Sequence, residues 1–207
     1  MNRKIKWGLV AVAALALAVA IIALTAAEEQ MVRVRGTIDA VDGQTIMVTA
    51  RDGAKLTIKL ADNVAVVGVV KATMSDIKAG SYVGVAGMPQ EDGSQRALEV
   101  LIFPDAMRGL AEGFRPWDLR PNSTMTNATV AALVVKVDGS TMTLKYKDGE
   151  KTILVPPDVP VVTYVTGEKS ELKPGAKIFI AGAPRQSDGN LLAARIGVGR
   201  DGLTPPM

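Results

Sequence analysis

Apolar and polar residues alternate along most of the chain from residue 31 onward. In the first such segment Val32, Val34 and Ile38 fall on one face of an extended chain, while Arg33 and Arg35 fall on the other. A period of two residues is typical of β-strands with one buried face. The segment is therefore predicted to be a strand whose apolar side lies in a core.

The same alternation recurs in two series of short segments. In the first half it predicts strands near 44–50, 54–60, 64–70, 81–87 and 96–103, with a short helical turn near 75–78. In the second half it predicts strands at 130–137, 141–146, 151–155, 159–165, 177–181 and 191–198. Asp-Gly pairs separate several of these segments. Because glycine adopts the positive φ of tight hairpin turns, strands joined in this way are predicted to be antiparallel.

The two halves of the chain match when one is shifted by about 96 residues along the other. Asp42-Gly43 then falls on Asp138-Gly139, and Asp92-Gly93 falls on Asp188-Gly189. This recurrence indicates an internal duplication, with repeats at 31–104 and 127–200, a linker at 105–126 and a C-terminal tail at 201–207. The shift also predicts matched buried positions: Val34 with Val130, Ile46 with Met142, and Ile58 with Leu154.

Each predicted repeat holds five or six short strands in about 70 residues. Such a small sheet removes its exposed edges most simply by closing into a barrel. The predicted fold is therefore all-β, with two tandem small OB-like β-barrels after one N-terminal hydrophobic helix.

Several short motifs of the first repeat resemble a known family. They are Arg35–Ile38, Asp42–Ile46, Arg51–Gly53, Ser75–Gly80 and Val83–Gly87. Together they are similar to an uncharacterised OB-like β-barrel domain family of bacterial exported proteins, and the resemblance covers most of both repeats. It implies a fold and a compartment. That family has no established catalytic residues to carry over.

The N-terminal segment has the pattern of an export signal. Arg3, Lys4 and Lys6 precede the eighteen uncharged residues Trp7–Leu24. Basic residues before an apolar run keep the N-terminus cytoplasmic and direct the remainder across the membrane. Residues 1–27 are therefore predicted to be a signal anchor in the bacterial inner membrane, with the C-terminal part in the periplasm. The alternative is a cleaved signal peptide, because the run is followed by small residues, and a periplasmic or secreted protein.

The composition excludes several kinds of chemistry. The chain has neither cysteine nor histidine, so it has no disulfide, no thiolate or imidazole metal ligand, and no Ser-His-Asp or Cys-His nucleophile arrangement. The sequence contains no nucleotide-binding or hydrolase fingerprint. We expect a protein that is not an enzyme and that has no catalytic residues, no cofactor and no metal site.

The basic pI of about 9.2 has its origin at the N-terminus. The chain has 24 Lys and Arg against 21 Asp and Glu, and residues 1–27 contribute three of the basic residues and no acidic one. The remainder is neutral overall, so no nucleic-acid partner is expected, since such a partner requires a local basic stripe. The basic residues of the first three strands are interpreted as a solvated outer face: Arg33, Arg35, Arg51, Lys55 and Lys59.

The linker at 105–126 is richer in aromatic and basic residues than a plain flexible spacer. Its candidate partner-binding residues are Arg108, Phe114, Arg115, Trp117 and Arg120. Two interpretations remain open. Either Phe114 and Trp117 pack between the barrels and set their orientation, or Trp117 and its flanking arginines anchor a partner, because Trp and Arg are favoured at interfaces.

The function expected from the sequence is that of a non-catalytic envelope module for binding or scaffolding. It is held at the inner membrane through residues 7–24 and engages another envelope protein. The alternative is a module that binds an anionic glycan or a nucleic acid. A basic, aromatic-lined concave surface favours the alternative, and neutral barrel faces with an apolar patch favour the protein partner.

Overall fold

The computed structural model describes residues 31–136 and 138–206, and this part of the chain is all-β. The predicted helix and export signal at 1–27 lie outside the described residues. Among the residues described, no helix is long and apolar enough to cross a membrane. Val32–Met207 form one compact unit.

Twelve strands follow one another along the described chain. They are β1 Met31–Asp42, β2 Thr45–Ala50, β3 Lys55–Ala72, β4 Tyr82–Pro89, β5 Gln95–Ile102, β6 Gly113–Pro116, β7 Thr124–Val134, β8 Ser140–Tyr146, β9 Gly149–Val155, β10 Val161–Thr166, β11 Lys177–Pro184 and β12 Leu191–Gly199. Short 3₁₀ turns lie at Met74–Asp76, Asp105–Met107 and Lys169–Glu171. The predicted turns are also present: Gly43 and Gly93 have φ values of 55° and 82°, a region that glycine occupies without steric cost.

Five strands close into a first barrel, in the order β12, β11, β1, β2 and β3. The pairs β1–β2, β2–β3 and β11–β12 are antiparallel. The ring is closed by parallel pairing of β12 with β3. Ile46, Ile58, Ile180 and Ile196 are fully buried in its interior, so the alternation along each strand produces one apolar core.

A second ring of five strands runs β5, β4, β7, β8 and β9, and parallel pairing of β9 with β5 closes it. Its core contains Val83, Val100, Val130, Met142 and Ile153. The two rings are joined through β10, which pairs with β3 of the first barrel and with β5 of the second.

Each barrel takes strands from both predicted repeats. The first combines β1–β3 from the N-terminal half with β11 and β12 from the C-terminal half, and the second combines β4 and β5 with β7–β9. The structure thus differs from the prediction that each repeat closes on itself. The alternation of apolar and polar residues is alike in both halves. It therefore does not predict which half supplies the last two strands of each barrel. The duplication and its boundaries at 31–104 and 127–200 stay a prediction.

Two strands predicted for the first half form one continuous strand in the structure. The segments near 54–60 and 64–70 both belong to β3, which runs without interruption past Asp62 and Asn63. Opposite them the pairing with β12 is shifted, because Leu60 pairs with Ala193 and Ala65 with Arg195. Asp62 and Asn63 therefore lie in a bulge of a continuous strand.

The matched buried positions are confirmed in part. Val34, Ile46, Ile58, Val130 and Met142 are all buried. Leu154, by contrast, is half-buried, and its neighbour Ile153 pairs with Met142 and points into the core. The match along β9 is thus displaced by one residue, and such a displacement exchanges the buried face of a strand with its exposed face.

The first strands of the two halves are also matched differently from the prediction. The pair Ile38–Val48 precedes a bulge in β1, and the pair Val130–Leu144 precedes the corresponding bulge in β7. Val130 therefore occupies the position of Ile38 and not that of Val34.

Candidate functional site

A cavity of about 400 Å³ lies between the two barrels. Its walls are mainly apolar, with Leu101 and Phe103 on the side of the second barrel and Phe179 on the side of the first. Small residues such as Gly84 and Gly197 also line it, so the side chains of the facing strands do not fill the space. Its volume lies in the range of small-molecule pockets, roughly 300–1,000 Å³.

Gly84 lies in close contact with two other residues of the cavity wall. A Cβ atom at this position would lie 2.9 Å from Asn127 Oδ1 and 3.0 Å from Phe103 Cε2, closer than ordinary van der Waals contact. Any larger residue therefore has to displace the amide and the aromatic ring that line the cavity.

Part of the linker forms the outer wall of the cavity, where Leu110, Arg115 and Trp117 line it. The linker is held to the second barrel at Leu110, whose carbonyl oxygen accepts hydrogen bonds from Tyr82 Oη at 3.2 Å and from Asn127 Nδ2 at 3.1 Å. It is also paired with β7 through β6. The wall is thus an ordered segment and not a free tether.

At Trp117 the linker reaches the first barrel. The Arg33 guanidinium carbon lies 4.0 Å from the centroid of the indole ring, and those of Arg115 and Arg35 lie at 5.7 Å and 5.8 Å. Cations at such distances are attracted to the face of an aromatic ring. The next residue, Asp118, is 2.8 Å from Arg35 Nη2 and 3.5 Å from Arg33 Nη1. The linker is therefore bound to β1 by the stacking of Arg33 on the Trp117 ring and by the Asp118 carboxylate, which pairs with both Arg33 and Arg35.

The ionised form of Asp118 is stabilised by these arginines. Burial, the largest influence, favours the neutral acid. The hydrogen bond from Arg35 and the positive charges of Arg35 and Arg33 outweigh it and hold the pKa of Asp118 below its ordinary value.

Glu99 is a buried acid next to the cavity. It precedes Leu101 by two residues in β5 and so shares the strand face that lines the cavity. Its side chain is 1% exposed, and neither carboxyl oxygen has a hydrogen-bond partner among the described residues. Burial raises the pKa of Glu99 to about 8, against the opposing charge of Arg35. Within the described chain, no group of three or more acidic residues is placed to hold a metal ion.

Three more buried polar atoms lack a partner in the described part of the chain: Trp117 Nε1, Arg33 Nε and Asn127 Oδ1. An unsatisfied buried polar group costs about 1–3 kcal/mol, so folded proteins contain few of them. Trp117 and Asn127 both line the cavity, and Arg33 stacks on Trp117. These atoms are themselves inaccessible to water, so the residues line the cavity through their other atoms.

Two arginines line the cavity without an acidic partner. Arg195 is exposed, and Arg115 is half-buried with Nη1 donating to the carbonyl oxygen of Ala111 at 2.8 Å. The ion pairs within the described residues include neither of them. Burial, together with the charge of Arg33, lowers the pKa of Arg115 from its usual value.

A family model described as a domain of unknown function, DUF5666, matches residues 35–100. A DUF5666 domain is therefore found in this segment, which covers less than half of the chain. No curated protein and no solved structure matches the chain. The DUF5666 segment runs from β1 to β5 and includes Arg35, Gly84 and Glu99 of the site. The expected resemblance to an uncharacterised barrel-like family is confirmed for this segment, while a second copy and a bacterial source stay predictions.

Only two of the five candidate residues predicted in the linker lie at the cavity. Arg115 and Trp117 lie at the cavity, next to strands of the DUF5666 segment. Trp117 is half-buried against the aromatic cluster between the barrels, as the packing interpretation predicts.

The other three residues lie away from the cavity. Phe114 is 40% exposed and has the Lys151 ammonium 4.6 Å from its ring, so the packing interpretation is wrong for this residue. Arg108 donates a hydrogen bond to the carbonyl oxygen of Gly80 at 3.0 Å, and the Arg120 side chain is exposed.

The sequence analysis missed several residues of the site. Arg33 and Arg35 were assigned to a solvated face, but the linker folds over them and leaves the Arg35 side chain 12% exposed. Glu99 had a usable signal, because it is the one charged residue in the otherwise apolar segment Ala97–Phe103. Asn127 had none, since an asparagine in a polar stretch is ordinary.

Proposed function

We propose that the chain is a non-catalytic binding module of the bacterial cell envelope, with the cavity between the barrels as its binding site. The observation that carries this proposal is an apolar cavity lined by two arginines, Arg115 and Arg195, that form no ion pair within the described residues. Small-molecule sites typically combine an apolar lining with a few polar groups that orient the ligand.

The arrangement of the linker supports a ligand site. It is fixed to the second barrel at Leu110 and to the first at Trp117, so it encloses the space between them. A concave surface with aromatic walls and nearby arginines is also the feature that distinguishes the ligand-binding alternative from a neutral scaffold. The geometry therefore favours a ligand over scaffolding alone.

The cellular setting belongs to the same proposal. The basic and apolar pattern of residues 1–27 supports an inner-membrane anchor with the barrels in the periplasm, or a cleaved signal and a periplasmic or secreted protein. The repeated Asp-Gly spacing supports descent from a duplicated OB-like domain. Nucleic acid is not the expected ligand, because residues outside the N-terminal segment are neutral overall.

A second candidate function is the docking of another envelope protein on the outer face of the linker. Leu110 and Phe114 of this segment are each 40% exposed, and interfaces form on surfaces that expose apolar side chains. In that case the cavity wall and the docking surface belong to the same segment.

The cavity assignment is tested by comparing the full-length chain with Gly84→Val. Both proteins are isolated from cells that express them, unfolded, and analysed for released small molecules by mass spectrometry. We expect a compound that accompanies the wild-type protein and is reduced at least about tenfold with Gly84→Val, because the added side chain displaces Asn127 and Phe103 of the cavity wall.

Ala54→Val is the matched control, since Ala54 is exposed in the turn between β2 and β3. It should retain the compound. Equal amounts of compound from all three proteins would show that it binds elsewhere.

A further inference from the structure

The polar groups at the cavity are dominated by donors. Arg115 and Arg195 line it and offer guanidinium groups with five N–H donors each. Arg115 uses one hydrogen bond on Ala111. A ligand that contributes acceptor oxygens satisfies this surface better than one that contributes donors.

The charged groups at the cavity also favour an anionic ligand. Asp118, which follows Trp117, is already shared by Arg33 and Arg35. Within the described chain, Arg115 and Arg195 form no ion pair. Glu99 does not offset them at neutral pH, because burial keeps its carboxyl group largely protonated. The apolar space is therefore lined by two positive charges that have no acidic partner among the described residues.

The remaining wall is suited to an apolar or aromatic group. Leu101, Phe103 and Phe179 belong to the buried cluster between the barrels, and Phe103 meets Tyr164 edge to face with ring centroids 6.1 Å apart. A flat or branched apolar group placed among these rings loses its contact with water, which is the main source of affinity in such pockets.

We propose that the cavity binds a small amphipathic anion, with its apolar body between the barrels and its carboxylate or phosphate oxygens on the guanidinium groups that line the cavity, those of Arg115 and Arg195. This inference rests on the proposed binding function and adds the chemical class of the ligand. Guanidinium groups form charge-assisted hydrogen bonds to an oxyanion, and their plane matches the geometry of a carboxylate or a phosphate.

The test uses three water-soluble probes that share one body: phenylbutyrate, phenylbutanol and phenylbutylamine. The full-length chain with Trp7→Phe leaves Trp117 as its one tryptophan, and each probe is titrated while the Trp117 fluorescence is recorded. We expect phenylbutyrate to bind at least about tenfold more tightly than the alcohol or the amine, the factor typical of one charge-assisted contact. The monophosphate ester of phenylbutanol, in the same titration, distinguishes a phosphate headgroup from a carboxylate because it keeps the same body.

Arg115→Gln and Arg195→Gln should each abolish the preference for phenylbutyrate over phenylbutanol, while Arg185→Gln, an exposed arginine of the first barrel, should preserve it. Arg195 is exposed, so its substitution tests the proposal even if Arg115→Gln unfolds. Equal binding of the three probes, abolished by Gly84→Val, would keep the cavity as a binding site and overturn the anion assignment. Tighter binding of the amine would also overturn it. Binding of none of the probes would contradict the proposed function together with this inference.

Discussion

The guanidinium of Arg33 lies 4.0 Å from the centre of the Trp117 ring. This contact joins the linker to β1 of the first barrel, although the linker contributes no strand to that barrel. Since the linker also pairs with β7 of the second barrel, one short segment bridges both barrels. The stability of the molecule and the shape of its cavity should therefore depend on the same few contacts.

Replacing Trp117 should destabilise the protein. Trp117→Ala removes a half-buried ring and its contact with Arg33, with an expected loss of about 2 kcal/mol and a lower unfolding midpoint. Thermal unfolding followed by circular dichroism measures it. Phe114→Ala is the matched control, because Phe114 is 40% exposed and its loss should cost less than about 1 kcal/mol. An unchanged midpoint together with indole fluorescence typical of full exposure to water would favour the interpretation of Trp117 as a partner anchor.

The exchange of strands between the two halves predicts how fragments behave. Residues 28–104 lack the β11 and β12 that complete the first barrel, and residues 105–207 lack the β4 and β5 that complete the second. Neither fragment should unfold cooperatively as a monomer when expressed alone. Co-expressed, the two should purify together in equal amounts through a tag on either one.

Two variants sharpen this experiment. Ile196→Asp should prevent the association, because Ile196 is fully buried in the first barrel, whereas Lys177→Asp, at an exposed position of β11, should not. A cooperative monomeric barrel formed by residues 28–104 alone would show that the repeat closes on itself.

The stability of the protein should fall as the pH rises from about 5 to about 8. Burial raises the pKa of Glu99 from 4.5 to about 8, so within this range the folded protein keeps a proton that the unfolded chain releases. The stabilisation from the protonated Glu99 carboxyl group is complete at a pH below the pKa of Glu99 in the unfolded chain. It is lost as the pH rises through the pKa of Glu99 in the folded protein. The expected slope is up to about 1.4 kcal/mol per pH unit. Histidine, the usual source of such a change, is absent from the chain.

Urea unfolding at a series of pH values measures this slope. Glu99→Gln should remove most of it, because the amide has nearly the same shape and does not titrate. Glu150→Gln, at an exposed position in β9, should leave it intact. A wild-type protein whose stability is constant between pH 5 and pH 8 would refute the assignment of Glu99 as a buried, protonated acid.

Local features were predictable from the sequence because they depend on neighbouring residues. The alternation of Ile46 and Val48 with polar residues determines which face of β2 is buried, and the Asp-Gly pair at 42–43 determines the turn that precedes it. Such patterns act over a few residues through backbone sterics and side-chain direction. They recur in both halves, which is why the sequence predicts a duplication.

The tertiary structure alone decided which strands pair and which side chains meet. Two halves with the same alternation offer equivalent strand edges, so the sequence pattern is equally satisfied by closed repeats and by the exchanged barrels that the structure contains. The burial of Glu99, the cover over Arg35 and the partial burial of Trp117 all follow from that exchange and from the path of the linker. These depend on contacts between residues far apart in the chain, and period-two alternation carries no information about such partners.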